Sequence, residues 1–418
     1  MFHIRRLQYH VLAIVVLIII QTTSVFAVSE ASCLFLLISP SPQANGMGGT
    51  YGNLAFTDPM ASLFNPAYLG FFAERHNFGY SYSSAFWLPA LVSDMDISCM
   101  SCNIGYTLKT IPLSFGLGYH HILLDLGEQV ITSEEGPESL GTFESYDQAD
   151  IASASVLLDY YIRGSIGLNF RLIESNLASF YVENELQNIK ASANALDFGV
   201  ALQIPIIDIL SKTTHKSMKL APNIIPFWHN GISYSTTNIG GEITYIDEAQ
   251  SDPLPRNAYL GINSQIGLQF NENDFCSEFI SYKFAYEIEG LLVERFVDNE
   301  DNVGITYLTS IFDVDSDRLI YKSGWELNML DFFYLRRGHY DDDEGYINYD
   351  TDGWGFNFLQ PIRWFLQVSG LKIENSLLKL LIYKTEIEFH HCSYKRKSGQ
   401  PLAGTEFNGI TLKLKTVL

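Results

Sequence analysis

The sequence predicts an all-β transmembrane antiparallel β-barrel of about fourteen strands with an N-terminal hatch segment in its lumen. Three observations predict it: a period-two alternation of apolar and polar residues, an export-type start with no later apolar helix, and aromatics gathered at segment ends. From about residue 75 the alternation recurs in segments of about ten residues, the length of a tilted membrane strand. Ile166, Leu168 and Phe170 share one face, and Gly167, Asn169 and Arg171 share the other. Phe198, Val200, Leu202 and Ile204 alternate with Gly199, Ala201 and Gln203, and Ile262 and Ile266 with Asn263 and Gln265. Tyr282, Phe284 and Tyr286 oppose Lys283, Ala285 and Glu287, and Ile410, Leu412 and Leu414 oppose Thr411, Lys413 and Lys415. Successive strand side chains point to opposite faces, so every segment is two-faced.

Periodicity does not say which face is inside. Aromatics make up 14% of the chain and crowd segment ends at Phe86-Trp87, 332–334 and 354–358, as interfacial girdles require. The polar faces carry glycine, asparagine, glutamine and lysine, the inventory of a wet lumen. These features favour an apolar face turned toward lipid over a secreted all-β domain with that face inside, and closure then pairs every backbone group.

Taken in order, the chain opens with a basic start at Arg5 and Arg6, an apolar run from Val11 to Ile20 and a small residue at Ala27. That pattern is a secretory signal peptide over residues 1–27, cut after Ala27. The run is too short to span a bilayer, and no comparable run follows, so strands must carry the mature chain into a membrane.

Residues 28–74 form the predicted hatch, and residues 75–418 the barrel. Gly46, Gly48 and Gly49 permit close backbone approach and positive φ. Asp58 is a good N-cap and Pro59 a good first helical residue, giving a short turn over Met60 to Phe64. Asn65 precedes Pro66, which ends that turn, and Asn65 caps a second short turn through Ala67, Tyr68 and Leu69. A barrel of this size is open through the middle unless something fills it.

Short turns are expected at Asp159 to Gly164 and Met329 to Asp331, and long polar loops at Gly127 to Asp150, Lys212 to Asn230 and Asp341 to Asp352. Short turns on one side and long loops on the other is the outer-membrane pattern. The acids cluster at 298–301, at Asp313, Asp315 and Asp317, and at 341–344, and loops are their expected setting. Net charge is −21, and loss of a leader carrying Arg5 and Arg6 makes it more negative. That excludes nucleic acid as a partner.

Five cysteines leave at least one unpaired. Cys99 and Cys102 read as a disulfide in an early loop. His390, His391 and Cys392 read as a loop end, since adjacent histidines on a strand point apart. Asp313 to Asp317 begins like a calcium loop, but Arg318 stands where a glycine is required. Neither a metal nor a cofactor is expected, and His120, His121 and the scattered serines assemble no triad, so the chain is not read as an enzyme.

Gly46-Met-Gly-Gly49, a spacer ending in Thr57-Asp58, and Leu63-Phe-Asn65-Pro66-Ala67-Tyr-Leu69 resemble the amino-terminal signature of the PorV/PorQ group. That group lies within the FadL-like superfamily of outer-membrane barrels. Members usually read Gly-Met-Gly-Gly-Ala, an acidic spacer, then Trp-Asn-Pro-Ala-Gly-Leu; here Thr50, Phe64 and Tyr68 replace the alanine, tryptophan and second glycine. Residues 322–345 and 353–358 are similar to the late hairpins of the group, although the chain ends in Leu418 rather than an aromatic.

The resemblance implies a bacterial outer-membrane barrel, embedded in outer-membrane lipid, with the hatch gating the lumen. It implies a hydrophobic small-molecule ligand such as a long-chain fatty acid, taken up passively as the backbone at Gly46 to Gly49 or the kink at Asn65-Pro66 shifts. Its alternative implication is a type IX secretion accessory that holds secretion-system proteins at the membrane.

Overall fold

The computed structural model describes residues 31–50, 58–92, 94–108, 110–133, 136–182, 185–215, 218–245, 251–272, 275–297, 303–397 and 400–415. The leader, its cleavage site, Thr57 and the acidic run at 298–301 lie outside the described residues. Among those described, fourteen antiparallel strands close into one barrel. They are β1 (His76–Phe86), β2 (Asp96–Thr107), β3 (Leu113–Ser133), β4 (Gly136–Asp159), β5 (Arg163–Val182), β6 (Glu185–Pro205) and β7 (Ile224–Gly240). The circuit continues through β8 (Asn257–Glu272), β9 (Phe275–Leu291), β10 (Ile320–Met329), β11 (Phe333–Asp342), β12 (Ile347–Asn357), β13 (Thr385–Lys395) and β14 (Glu406–Lys415). Each strand pairs with its sequence neighbours, and β1 pairs with β14 to close the wall.

The alternation sorts the two faces as expected. On β5, Ile166, Leu168 and Phe170 are exposed outward, Ile166 at 58%, whereas Asn169 and Arg171 are each 1% exposed inside. Ile262 and Ile266 on β8, Tyr282 and Phe284 on β9 and Ile410 on β14 likewise face out, opposite buried Asn263, Glu287 and Thr411. An apolar exterior around a closed hydrogen-bonded wall is the form a lipid solvent demands.

The inner face is not uniformly polar. Cys99, Ile122, Ile151, Ile173, Tyr259 and Phe407 belong to one buried apolar cluster in the bore; Cys99, Tyr259 and Phe407 lie near the strand ends away from Thr107, Leu113 and Asp159, and Ile122, Ile151 and Ile173 about midway along theirs. The wet-lumen expectation therefore holds for only part of the bore.

Two ends can be told apart by their connections. One end, the turn end, carries the short links after β2, β4, β8 and β10 together with the start of β1 and the finish of β14. The turns expected at Asp159 to Gly164 and Met329 to Asp331 are there. Three expected loops are corrected. Gly127 to Asp150 is mostly strand, because β3 and β4 run on as a paired hairpin. Asp341 to Asp352 is a tight hairpin between β11 and β12, with the acids on its strands and turn. Lys212 to Asn230 lies at the turn end and begins in a helix, α3 (Ile206–Thr214). Asp313, Asp315 and Asp317 sit in and beside short 3-10 turns rather than in a long loop.

Two helices expected from no sequence signal above also lie at the turn end, between β12 and β13: α4 (Gln360–Ser369) and α5 (Ser376–Lys384). Cys99 and Cys102 lie on β2, on opposite faces by its alternation, and all five cysteines are free, so the disulfide and its loop are both corrected. His390, His391 and Cys392 are mid-strand on β13, with His390 inward and His391 outward.

Candidate functional site

The described part of the amino-terminal segment fills the bore. Ser32 donates its backbone N–H to the Pro253 carbonyl at 3.0 Å, beside the β7–β8 connection at the end opposite the short turns. By His76 the chain has reached the turn end and become β1. Residues 31–50 and 58–75 thus run the length of the lumen. They carry a short helix α1 (Pro42–Asn45), a 3-10 turn at Ala61–Leu63 and a two-turn helix α2 (Tyr68–Arg75).

The local chemistry explains these turns. Ser41 caps α1 by accepting from Ala44 N at 3.2 Å, with Pro42 at the first helical position. Asp58 accepts from Met60 N at 2.9 Å at the start of the next turn and also receives the Ser41 hydroxyl, which ties the two halves of the segment together. Asn65 accepts from Ala67 N at 3.1 Å, the capping role read from the sequence. That turn runs into helix α2, whose own N-cap residue is Ala67 and which ends only at Arg75.

Two glycine notches in the wall receive this segment. On β10 and β11, Gly324 and Gly338 are directly paired. A Cβ on Gly338 would sit 1.9 Å from Gly48 N, and one on Gly324 would sit 2.3 Å from the Met47 carbonyl oxygen. The segment's backbone therefore occupies the space where side chains would be. Gly48 itself has φ +75°, and its N–H donates to Thr351 Oγ1 at 3.1 Å across the neighbouring strand. Gly46 and Gly49 flank it; Gly46 packs on Arg336 and Gly353, and Gly49 also has positive φ.

The second notch is Gly167 on β5 paired with Gly199 on β6. A Cβ on Gly167 would meet the Pro66 carbonyl carbon at 2.4 Å, and one on Gly199 would meet Asn65 Oδ1 at 2.2 Å. Ser165 donates to the Ala67 carbonyl at 2.6 Å, and Asn103 to the Pro59 carbonyl at 2.7 Å. The seven residues singled out from the sequence (Gly46, Gly48, Gly49, Asp58, Asn65, Pro66 and Ala67) thus all lie in this segment: the three glycines at the first notch, Asn65 to Ala67 at the second, and Asp58 at neither, bonded to Ser41 and Met60 within the segment.

Sequence reasoning missed the polar clamp between them. Arg171 on β5 and Asp197 on β6 form an ion pair at 2.7 Å, both essentially unexposed. Arg171 Nε donates to both Asp197 oxygens, at 2.9 and 2.8 Å, and a terminal guanidinium N–H donates to the Leu63 carbonyl. Asn169 Nδ2 reaches the Ser62 carbonyl and Asp197, each at 2.8 Å. Asp197 also accepts from Asn238 N at 2.8 Å, where the β6–β7 register slips by a residue. Carboxylate, guanidinium and 3-10 turn satisfy one another, which a buried charge requires. His120 adds a tether, with Ser62 Oγ 2.9 Å from Nε2 and Ser101 Oγ 2.7 Å from Nδ1. Both ring nitrogens are committed, so this histidine fastens the segment to the wall.

Above and below the clamp the bore differs. On the side away from the turn end, Phe35, Leu36, Met60, Leu63 and Phe64 of the segment enter the apolar cluster of the inner wall, and Phe64 meets Tyr259 edge-on at 5.6 Å between centroids. Toward the turn end, the inner wall from β9 to β14 carries paired charges. Arg336 Nε lies 2.6 Å from Glu326, and Lys413 lies 2.9 Å from Glu388 and 3.2 Å from Glu386. A packed apolar cluster, bordered by the buried Lys322 with Glu287 and Glu289, thus gives way to a charged floor, with the segment running through both.

No model of a known protein family matches the chain, and no curated protein matches it. Among solved structures, the chain is similar to the toluene transporter TbuX of Ralstonia pickettii, at 12% identity and TM-score 0.43, covering 90% of this chain and 98% of that one. It is also similar to the P. putida toluene transporter TodX, at 11% identity and TM-score 0.38 over 90% and 97% of the two chains. A FadL homologue of Pseudomonas aeruginosa matches at 9% identity and TM-score 0.34, over 88% and 95%. Likenesses this loose say nothing about what the chain binds.

Proposed function

We propose that the chain is an outer-membrane FadL-like barrel that passively admits hydrophobic small molecules, such as long-chain fatty acids, past the hatch. The observation that carries this reading is the buried apolar cluster, shared by wall and hatch, inside an otherwise polar bore. Ile122, Ile151 and Ile173 on the inner face pack against the hatch in this state and would line an apolar path once it moved. An apolar solute leaving water is favoured there by about 25 cal/mol per Å² of apolar surface covered. Leu36, Met60 and Leu63 of the hatch are packed in that cluster in this state, so passage requires the hatch to yield. In this reading Gly46, Gly48, Gly49, Asp58, Asn65, Pro66 and Ala67 set the closed position.

The test uses cells that lack their own long-chain fatty-acid importer and express this chain in the outer membrane. Labelled oleate uptake is expected to rise several-fold over the empty host, and the purified protein in detergent is expected to bind oleate saturably. Absence of both effects contradicts the reading.

A second reading has its own observation. The backbone ladders between neighbouring strands show only single- or double-residue register shifts, so the described wall has no lateral gap. A sealed wall suits a membrane-held platform for type IX secretion proteins as well as it suits a channel. Co-purification of secretion components after cross-linking in the native envelope, with no oleate uptake, would favour the platform.

A further inference from the structure

The hairpin of α4 and α5 leaves a large apolar surface uncovered beside the wall. Val368 is 83% exposed, Leu377 75% and Phe365 64%, and Ile362, Leu371, Leu380 and Leu381 are exposed with them. A patch this dense is uncommon on a surface that faces only water. The hairpin is nevertheless pinned firmly. Pro361 opens α4, Gly370 ends it at φ +69°, and Asn375 caps α5 by accepting from Leu377 N and Leu378 N. Arg363 is buried, donating to the Ile382 and Thr385 carbonyls and to Gln360 Oε1, while Gln360 Nε2 reaches Ser277 Oγ at 2.6 Å.

Its other attachment is to the outer face of the wall. Trp364 lies against Phe270, Phe275 and Phe279 at 5.2, 5.0 and 6.2 Å between ring centroids. Phe279 is exposed on the outside of β9, and Phe270 shares its outward face on β8 with Ile262 and Ile266. Gln367 donates to Glu272 at the tip of β8 at 2.6 Å. The exposed helix surface therefore continues the apolar exterior of the barrel at its turn end. The hairpin also carries Lys372, Lys379 and Lys384. Apolar side chains beside lysines, with an aromatic at the boundary, are what a helix lying in a lipid headgroup layer presents.

We infer that α4 and α5 form an interfacial foot that lies in the headgroup layer of the leaflet at the turn end, with Ile362, Phe365, Val368, Leu377 and Leu380 among its acyl chains and its lysines at anionic headgroups. The inference rests on the membrane-barrel reading above. Neither helix approaches the length that crosses a bilayer, so the foot lies on the membrane and does not span it.

The experiment reconstitutes the full chain in vesicles of phosphatidylethanolamine and phosphatidylglycerol containing a phospholipid with a diazirine on its acyl chain, followed by photolysis and peptide mapping. Adducts are expected on residues 362–381 as well as on Ile262 and Ile266 of the wall. With Val368→Asp and Leu380→Asp combined, adducts on the hairpin are expected to fall at least several-fold while those on Ile262 and Ile266 persist. Adducts on the wall with none on the hairpin overturn the inference and leave the barrel reading intact. Adducts on neither overturn the barrel reading itself. A hairpin that instead cross-links to a second copy or to a co-reconstituted protein also overturns it, since another surface then covers these residues.

Discussion

Gly338→Val is expected to expel the first half of the hatch from its notch while leaving the barrel closed. The substitution places a branched side chain where Gly48 N lies 1.9 Å from the ideal Cβ, and both the wall ladder and the hatch backbone flank that point. Overfilling a packed site costs about 1–3 kcal/mol, more than one hydrogen bond from Gly48 to Thr351 returns. Limited proteolysis of the reconstituted protein is expected to cut residues 31–50 in the variant at least tenfold faster than in the parent, with the strands intact. Gly241→Ala, at a site with nothing within 4 Å, is expected to leave the rate unchanged and serves as the control. Equal protection of residues 31–50 in Gly338→Val and parent contradicts the notch.

The second large effect is expected at the clamp. Asp197→Ala leaves the Arg171 guanidinium buried with its ion partner gone, and breaking such a pair costs about 3–5 kcal/mol. It also strips an acceptor from Asn169 and from Asn238 N. Urea unfolding in vesicles is expected to show this loss, and the double variant Arg171→Met, Asp197→Leu is expected to recover most of it, because no unpaired charge remains. A single variant as stable as the parent contradicts the clamp. So does a double variant as unstable as the single one.

The parts of this architecture that were legible in the sequence are those set by local chemistry. The outward face of β5 follows from Ile166, Leu168 and Phe170 alone, because the strand period is two whatever the strand pairs with. The cap at Asn65 follows from Asn-Pro-Ala, because the side chain and the backbone it serves are two residues apart. The notches do not follow in this way. Gly167 and Gly199 stand plainly on the inward faces of their segments, but their direct pairing depends on register, which no short stretch encodes. Arg171 and Asp197 meet for the same reason.

The errors have physical causes too. Gly127 to Asp150 looks like a loop because the β3–β4 hairpin is polar on both faces over much of its length, and the two-faced signal fades there. Cys99 and Cys102 suggested a bridge by spacing alone, yet a strand sends residues three apart to opposite sides. The helices at 360–384 carry local signals in Pro361, Gly370 and Asn375, but each is short and follows the aromatic run 354–358, which reads equally as a girdle.

A conductance recording most directly tests the central claim, that the barrel holds its own amino-terminal segment as a stopper. The intact chain, inserted in a planar bilayer, is expected to show no steady ionic current, and Gly338→Val is expected to show discrete open steps. A steady open-pore current from the intact chain would contradict the stopper.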